Sequence, residues 1–317
     1  MASHVVTPSE INLIGPILQR VCWSDTATRA ELQQRFGVNV LPVNFYSNTP
    51  SVQEIKSSYE YAEGGTAPYL DPRIFDANVL RETLKTLSEY SVEFAPDTEG
   101  DEERCQRYFW KNGQFSFSDA MSYYCFLRAF PPKTVVEIGS GFSTLVATEA
   151  IRRNGTGRII CVEPYPRPFL EDNPQIELVK EKAENLTAAT LNEWLDDGDV
   201  LFIDSTHTVK TGSDCLHIYL RLIPNLERFV RIHAHDIFLP FGLRQDWQLE
   251  RQIFWTEQYL LAALLTDNPR AKVLYGSKYH YAYNSQLLAE MMHGRCGSGG
   301  GSFWFEYDGR IDPRANR

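Results

Sequence analysis

One run constrains this chain more than any other: Thr134-Val135-Val136-Glu137-Ile138-Gly139-Ser140-Gly141-Phe142-Ser143-Thr144. It reads as an apolar strand that passes through a Gly-x-Gly turn into a helical pattern. Two glycines at that point let the backbone turn sharply and let a ligand approach the main chain closely. The helix N-terminus that follows offers unpaired N–H groups to an anionic or polar partner. Glu137 stands at the end of the strand, immediately before the glycines. A carboxylate there repels a pyrophosphate and welcomes an amine-bearing ligand.

From Val135 onward the pattern alternates strictly. Strands are predicted at 135–138, 158–163, 176–180, 199–204 and 229–235, with helices at 143–153, 164–172, 187–196 and 212–223 between them. Apolar strands alternating with helices imply a parallel sheet covered on both faces, with the ligand outside the carboxyl ends of the strands. Beyond the fifth strand the spacing predicts a long amphipathic helix over Trp247–Leu265 and an aromatic strand over Lys272–Tyr283. A flexible glycine run, Gly297–Gly301, precedes a last strand at Phe303–Tyr307.

The first third of the chain is helical in pattern. Ile11, Ile14, Leu18, Val21 and Cys22 share a face, Ala30–Phe36 suggests a second helix, and 37–46 reads as extended. Ser51-Val52-Gln53-Glu54 is a capping box opening a helix to about Ala62, which Gly64-Gly65 breaks. A further helix fits Asp76–Tyr90. An acidic connector follows, then an aromatic stretch from Tyr108 to Phe117, read as core packing, and a helix over 119–130 capped by Ser118 or Asp119. These features predict a helical cap and substrate lobe over 1–115 and a Rossmann-like α/β domain over 116–317.

Composition narrows the function. A net charge of −10 argues against a nucleic-acid partner, because phosphate neutralisation needs clustered Lys and Arg. Six cysteines without a Cys-x-x-Cys pair read as reduced, mostly buried thiols. No apolar run approaches the ~20 residues that span a bilayer, and the N-terminal residues lack the pattern of a secretory leader. The expectation is a cytoplasmic enzyme with a small-molecule substrate and no membrane partner, and the exposed aromatic helix after Trp247 would serve in a homodimer.

The strand ends carry the chemistry. Glu137, Glu163 and Asp204 each close an apolar strand, and His235-Asp236 closes another. Glu163 ends the second strand, where an acid takes the ribose hydroxyls. A nicotinamide cofactor fits poorly, since Gly139-x-Gly141-x-x-Thr144 lacks the third glycine that permits close helix–strand packing. An acid before the glycines and a ribose acid on the second strand suit an adenosine ligand with an amino-acid tail, S-adenosylmethionine.

Residues from about 115 to 307 resemble class I S-adenosylmethionine-dependent methyltransferases, in particular a bacterial branch with Asp-x-x-His after the fourth strand and His-Asp after the fifth. The resemblance rests on Val136 to Thr144, on Phe202-Ile203-Asp204-Ser205-Thr206-His207 and on Ile232-His233-Ala234-His235-Asp236-Ile237. The helix from Trp255 and the Ser302-Phe303-Trp304 ending add to it. It implies an antiparallel C-terminal strand, and a cofactor held by Glu137, Gly139, Ser140, Gly141, Ser143, Thr144 and Asp204, with Glu163 at the ribose and Ala183 and Glu184 by the adenine. Where relatives often carry Asp-Gly-x-His, this chain has Asp204-Ser205-Thr206-His207.

Asp204, His207, His235 and Asp236 should converge beside the methyl group. Three roles stand open: ligands to Mg²⁺, Mn²⁺ or Fe²⁺, a general base at His207 or His235 with Asp204, or mutual hydrogen bonding that braces the loops. His217 and His233 read as structural, and Tyr46, Tyr123 and Tyr124 as pocket residues. The expected reaction is O-methylation of a small molecule, with or without a metal. Its rivals are aminocarboxypropyl transfer or cyclisation, which release methylthioadenosine, and a non-catalytic adenosine-binding regulator.

Overall fold

The structure is a computed structural model describing residues 5–61 and 67–312. Those residues divide into two compact units, with the boundary in the chain between Ser58 and Tyr59. The first holds three helices: α1 (Pro8–Cys22), α2 (Thr26–Phe36) and α3 (Val52–Lys56). Each begins where a side chain satisfies the free N–H groups of the first turn. Thr7 with Glu10 and Ser51 with Glu54 make reciprocal capping boxes, Asp25 caps α2, and Gly37 ends α2 in the left-handed conformation. The helix opened by Ser51 stops at Lys56, short of the expected end; Ala62, Gly64 and Gly65 lie outside the described residues.

The second unit contains α4 (Ala77–Ser91), α5 (Phe117–Ala129), β1 (Thr134–Ile138), α6 (Phe142–Asn154), β2 (Arg158–Val162), α7 (Pro168–Glu171) and β3 (Ile176–Val179). It continues through α8 (Ala188–Trp194), β4 (Val200–Ile203), α9 (Asp214–His217) and β5 (Phe229–Ala234). Then come α10 (Gln245–Arg251), α11 (Glu257–Leu265), β6 (Ala271–Gly276), α12 (Ser277–Tyr283), α13 (Ser285–Met292) and β7 (Phe303–Asp308). The strands form one sheet in the order β3-β2-β1-β4-β5-β7-β6. β1 to β5 pair in parallel, and β7 runs antiparallel between β5 and β6. This is the Rossmann-like sheet with an antiparallel last strand. The chain winds outward in opposite directions from β1 and β4, so the crevice opens between their carboxyl ends.

Two apolar layers sandwich the sheet. On one face Val135, Cys161 and Phe202 pack under α5 and α6; on the other Val136, Ile138, Leu201 and Ile203 meet Ile218, Tyr219 and Leu222. Burying both faces explains why these strands read as unbroken apolar runs. α5 is buried from Ser118 to Leu127, and its Phe126 stacks on Trp304 of β7 with ring centroids 3.9 Å apart. Burial of each such ring contributes roughly 1.5–3 kcal/mol. Tyr108, Phe109, Trp110 and Phe115 join this core. With α4 packed on α5 and β6, residues 67–115 therefore go with the sheet, not with a separate lobe ending at 115.

Five local expectations need correction. α5 starts at Phe117, ahead of Ser118 and Asp119, with Ser116 at its N-cap position; both expected cap residues are buried and bonded elsewhere. The long helix over 247–265 is two helices, because the chain turns at Gln252 (φ +55°) and the N–H groups of Thr256 and Glu257 bond to the His207 carbonyl, which starts α11 afresh. The aromatic strand ends at Gly276. Tyr279 and Tyr283 then share a face of α12, and α13 buries Leu288, Met291 and Met292. The glycine run is pinned, not loose: Gly301 N–H donates to Asp119, and a Cβ on Gly300 would fall 2.3 Å from that carboxylate. Trp247, the residue expected to front an exposed helix, is half-buried between Phe238 and Trp255.

Candidate active site

The carboxyl ends of β2, β1, β4 and β5 are laced together. Gly139 N–H donates to Val162 O (3.0 Å), Asp204 N–H to Ile138 O (2.8 Å) and His235 N–H to Ile203 O (2.9 Å). Gly139 adopts φ +84°, and a Cβ there would sit 2.0 Å from the Asp204 carbonyl oxygen, so no other residue fits. Gly141 precedes α6, and its N–H donates to Thr144 Oγ1 (3.2 Å). Ser140 N–H points to Glu163 Oε2 (3.3 Å), which places the β2 acid against the glycine turn. Ser140 Oγ is buried against Glu137 and Cys161, and the turn is open at Gly141, where a Cβ would meet nothing within 4 Å, which leaves space for a cofactor to approach the main chain. Ala183 is buried in the turn after β3, and Glu184 beside it is exposed. Ser143 and Thr144 are buried in the first turn of α6.

Glu137 lies deeper than the sequence suggests. It is fully buried, with Tyr123 Oη donating to Oε1 (2.9 Å) and Thr144 Oγ1 to Oε2. Burial raises its carboxyl to about 7, against the hydrogen bonds from Thr144 and Tyr123 that favour the charged form. It braces the loop from beneath through α5 and α6. Tyr123 and Tyr124 are likewise buried, bonded to Glu137 and Glu93, while Tyr46 is exposed on the first unit. Two further histidines are structural: His217 Nε2 reaches Leu186 O (2.8 Å), and His233 Nε2 reaches Ser302 Oγ (2.7 Å), with burial pushing its pKa far down.

Asp204, His207, His235 and Asp236 do converge. Asp204 Oδ1 lies 3.3 Å from His207 Nε2 and 3.4 Å from His235 Nδ1; Asp236 Oδ2 lies 3.8 and 3.9 Å from the same atoms. Two acids that sequence reasoning passed over complete the group. Glu257 Oε2 sits 2.8 Å from His207 Nδ1, and Asp119 Oδ2 3.3 Å from His235 Nε2. The only sequence signal for Glu257 was its place in the Trp255 helix segment, and Asp119 read as a helix cap. Phe115 packs against the His235 ring at 4.9 Å, and Trp255 against His207 at 4.4 Å.

The electrostatics follow from this crowding. Burial alone would lower both imidazoles. For His207 the bonds to Asp204 and Glu257 overcome it and raise the pKa to about 10, and for His235 the charges of Asp236 and Asp204 also prevail. Burial pushes Asp204 up, but His235 and His207 carry it well below the usual carboxylate range. Burial dominates at Asp236, whose pKa is raised. Asp204 is the most open member, with 37% of its side chain exposed against 8% for His207 and 5% for His235. As arranged, these groups are an ion-paired network. Among the described residues no set of three or more His, Cys, Asp or Glu is placed to hold a metal ion, so the divalent-metal expectation is not supported.

Residues 136–237, about a third of the chain, match the family described as a methyltransferase domain. An uncharacterized protein of Archaeoglobus fulgidus is 30% identical over 136 residues, covering 41% of this chain and 60% of that one. A putative O-methyltransferase from Klebsiella pneumoniae is 12% identical over 72% of this chain and 89% of that one, with a TM-score of 0.35. The plantazolicin methyltransferase BpumL, in complex with SAH, is 10% identical over 93% and 99%, also with a TM-score of 0.35. Overlaps that loose say nothing about the acceptor. Among the described residues no helix is long and apolar enough to cross a membrane, and the six cysteines are free.

Proposed function

We propose that the protein transfers a methyl group from S-adenosylmethionine to an oxygen of a small-molecule acceptor. The observation that carries this is the cluster of carboxylates and imidazoles at Asp204, His207, His235 and Asp236, set on the two strand ends beside the glycine turn. A hydroxyl must lose its proton as it takes a methyl group, and an imidazole flanked by carboxylates can receive it.

The bound cofactor supplies an already activated sulfonium methyl. The chain's own work is positioning and proton transfer. Gly139 to Gly141 leave room for the amino-acid end, and Glu163 receives the ribose hydroxyls. Asp204 meets the acceptor hydroxyl first, because its carboxylate is the exposed one. His207 Nε2, once neutral, takes the hydroxyl proton and returns to the imidazolium that Glu257 and Asp204 stabilise. Purified protein with S-adenosylmethionine and a panel of hydroxylated small molecules tests this by mass spectrometry of both products. S-adenosylhomocysteine with a methyl ether supports it, whereas methylthioadenosine would mean that the aminocarboxypropyl arm moves instead.

A further inference from the structure

We infer that Glu257 is a positioning residue, which acts on the reaction only through His207; this rests on the reading of His207 given above. Glu257 is 1% exposed, so it cannot touch an acceptor. Both its oxygens are engaged. Oε2 accepts from Ser205 Oγ (2.8 Å) and faces His207 Nδ1 (2.8 Å), while Oε1 accepts from Tyr219 Oη (2.7 Å). An ionised carboxylate only accepts, so Nδ1 must carry a hydrogen and Nε2 is the nitrogen left to face Asp204.

The main chain reinforces this grip. The N–H groups of Thr256 and Glu257 both donate to His207 O (2.8 and 3.1 Å), and Val209 N–H donates to Thr256 Oγ1 (2.7 Å). His207 itself sits at φ +57°, a left-handed conformation unfavourable for a residue with a β-carbon, which persists only when its surroundings impose it. The first turn of α11 therefore holds residue 207 by backbone and side chain at once, from a point 50 residues along the chain.

Two substitutions on the same carboxylate separate positioning from mere structure. E257Q presents Nδ1 with an amide in place of the acceptor-only group, whereas Y219F removes a different bond and leaves the His207 contact in place. For E257Q we expect kcat to fall about 10²-fold, the lower end for lost acid–base assistance, with the KM for S-adenosylmethionine within about twofold. Y219F should stay within about threefold of the parent in kcat. In ¹⁵N-histidine-labelled protein, the downfield Nδ1 proton of His207 should appear in the parent and in Y219F and vanish in E257Q. Equal losses in the two variants, or an unchanged resonance and kcat in E257Q, would overturn the inference. The resonance is read without any acceptor, so failure of the proposed reaction would show separately as an absence of product in the parent.

Discussion

Replacing Glu137 with Gln tests how the glycine loop is held from below. The carboxyl is fully buried, and burial lifts it from 4.5 to about 7, with Thr144 and Tyr123 opposing. A folded pKa above the unfolded one means that the folded state binds the proton more tightly. The associated stability is complete below about pH 4.5 and is lost as the pH rises through 7. At 1.36 kcal/mol for each unit, the raised pKa amounts to roughly 3 kcal/mol. Glutamine does not titrate, so the stability of E137Q relative to the parent should improve by roughly that amount between pH 4.5 and 8.5, whatever its starting offset. Every other titrating group is common to both proteins and cancels in the difference. Urea unfolding at pH 4.5, 6, 7 and 8.5 gives that difference directly. A gap that does not change with pH would show that Glu137 is charged at neutral pH, and that the loop rests on an ion rather than on a neutral acid.

Three other outcomes follow from the site. With His207 raised to about 10, kcat/KM should climb with pH through neutrality toward that value, and H207Q should flatten the rise; a plateau from pH 7 would exclude His207 as the base. G139A, which drives a Cβ to 2.0 Å from Asp204 O in a left-handed conformation, should weaken S-adenosylmethionine binding more than tenfold by calorimetry, with E163Q nearer tenfold. Dialysis against a chelator should leave activity unchanged, and restoration by added Mg²⁺, Mn²⁺ or Fe²⁺ would contradict the ion-paired arrangement of the four residues.

The sequence by itself determined the alternating α/β core and the place of the crevice. Both are local: apolar strand runs, a Gly-x-Gly turn and strand-end acids can be read without knowing what packs where, and β1 to β5 appear within a residue or two of their expected bounds. Asp204, His207, His235 and Asp236 were legible for the same reason, since parallel strands bring their carboxyl ends to one edge. What the tertiary structure decided lies wherever a distant group completes a local one. Glu137 read as a ligand contact because the pattern cannot show α5 bringing Tyr123 beneath it. Gly297 to Gly301 read as flexible because their partner, Asp119, is 182 residues away. The break between α10 and α11 and the role of Glu257 depend on the carbonyl and ring of His207, and no periodicity encodes a hydrogen bond between segments 50 residues apart. The glycine turn through which Val136 enters α6 fixed what kind of ligand this fold accepts; the acids behind the two histidines, known only from packing, fix how the site is held.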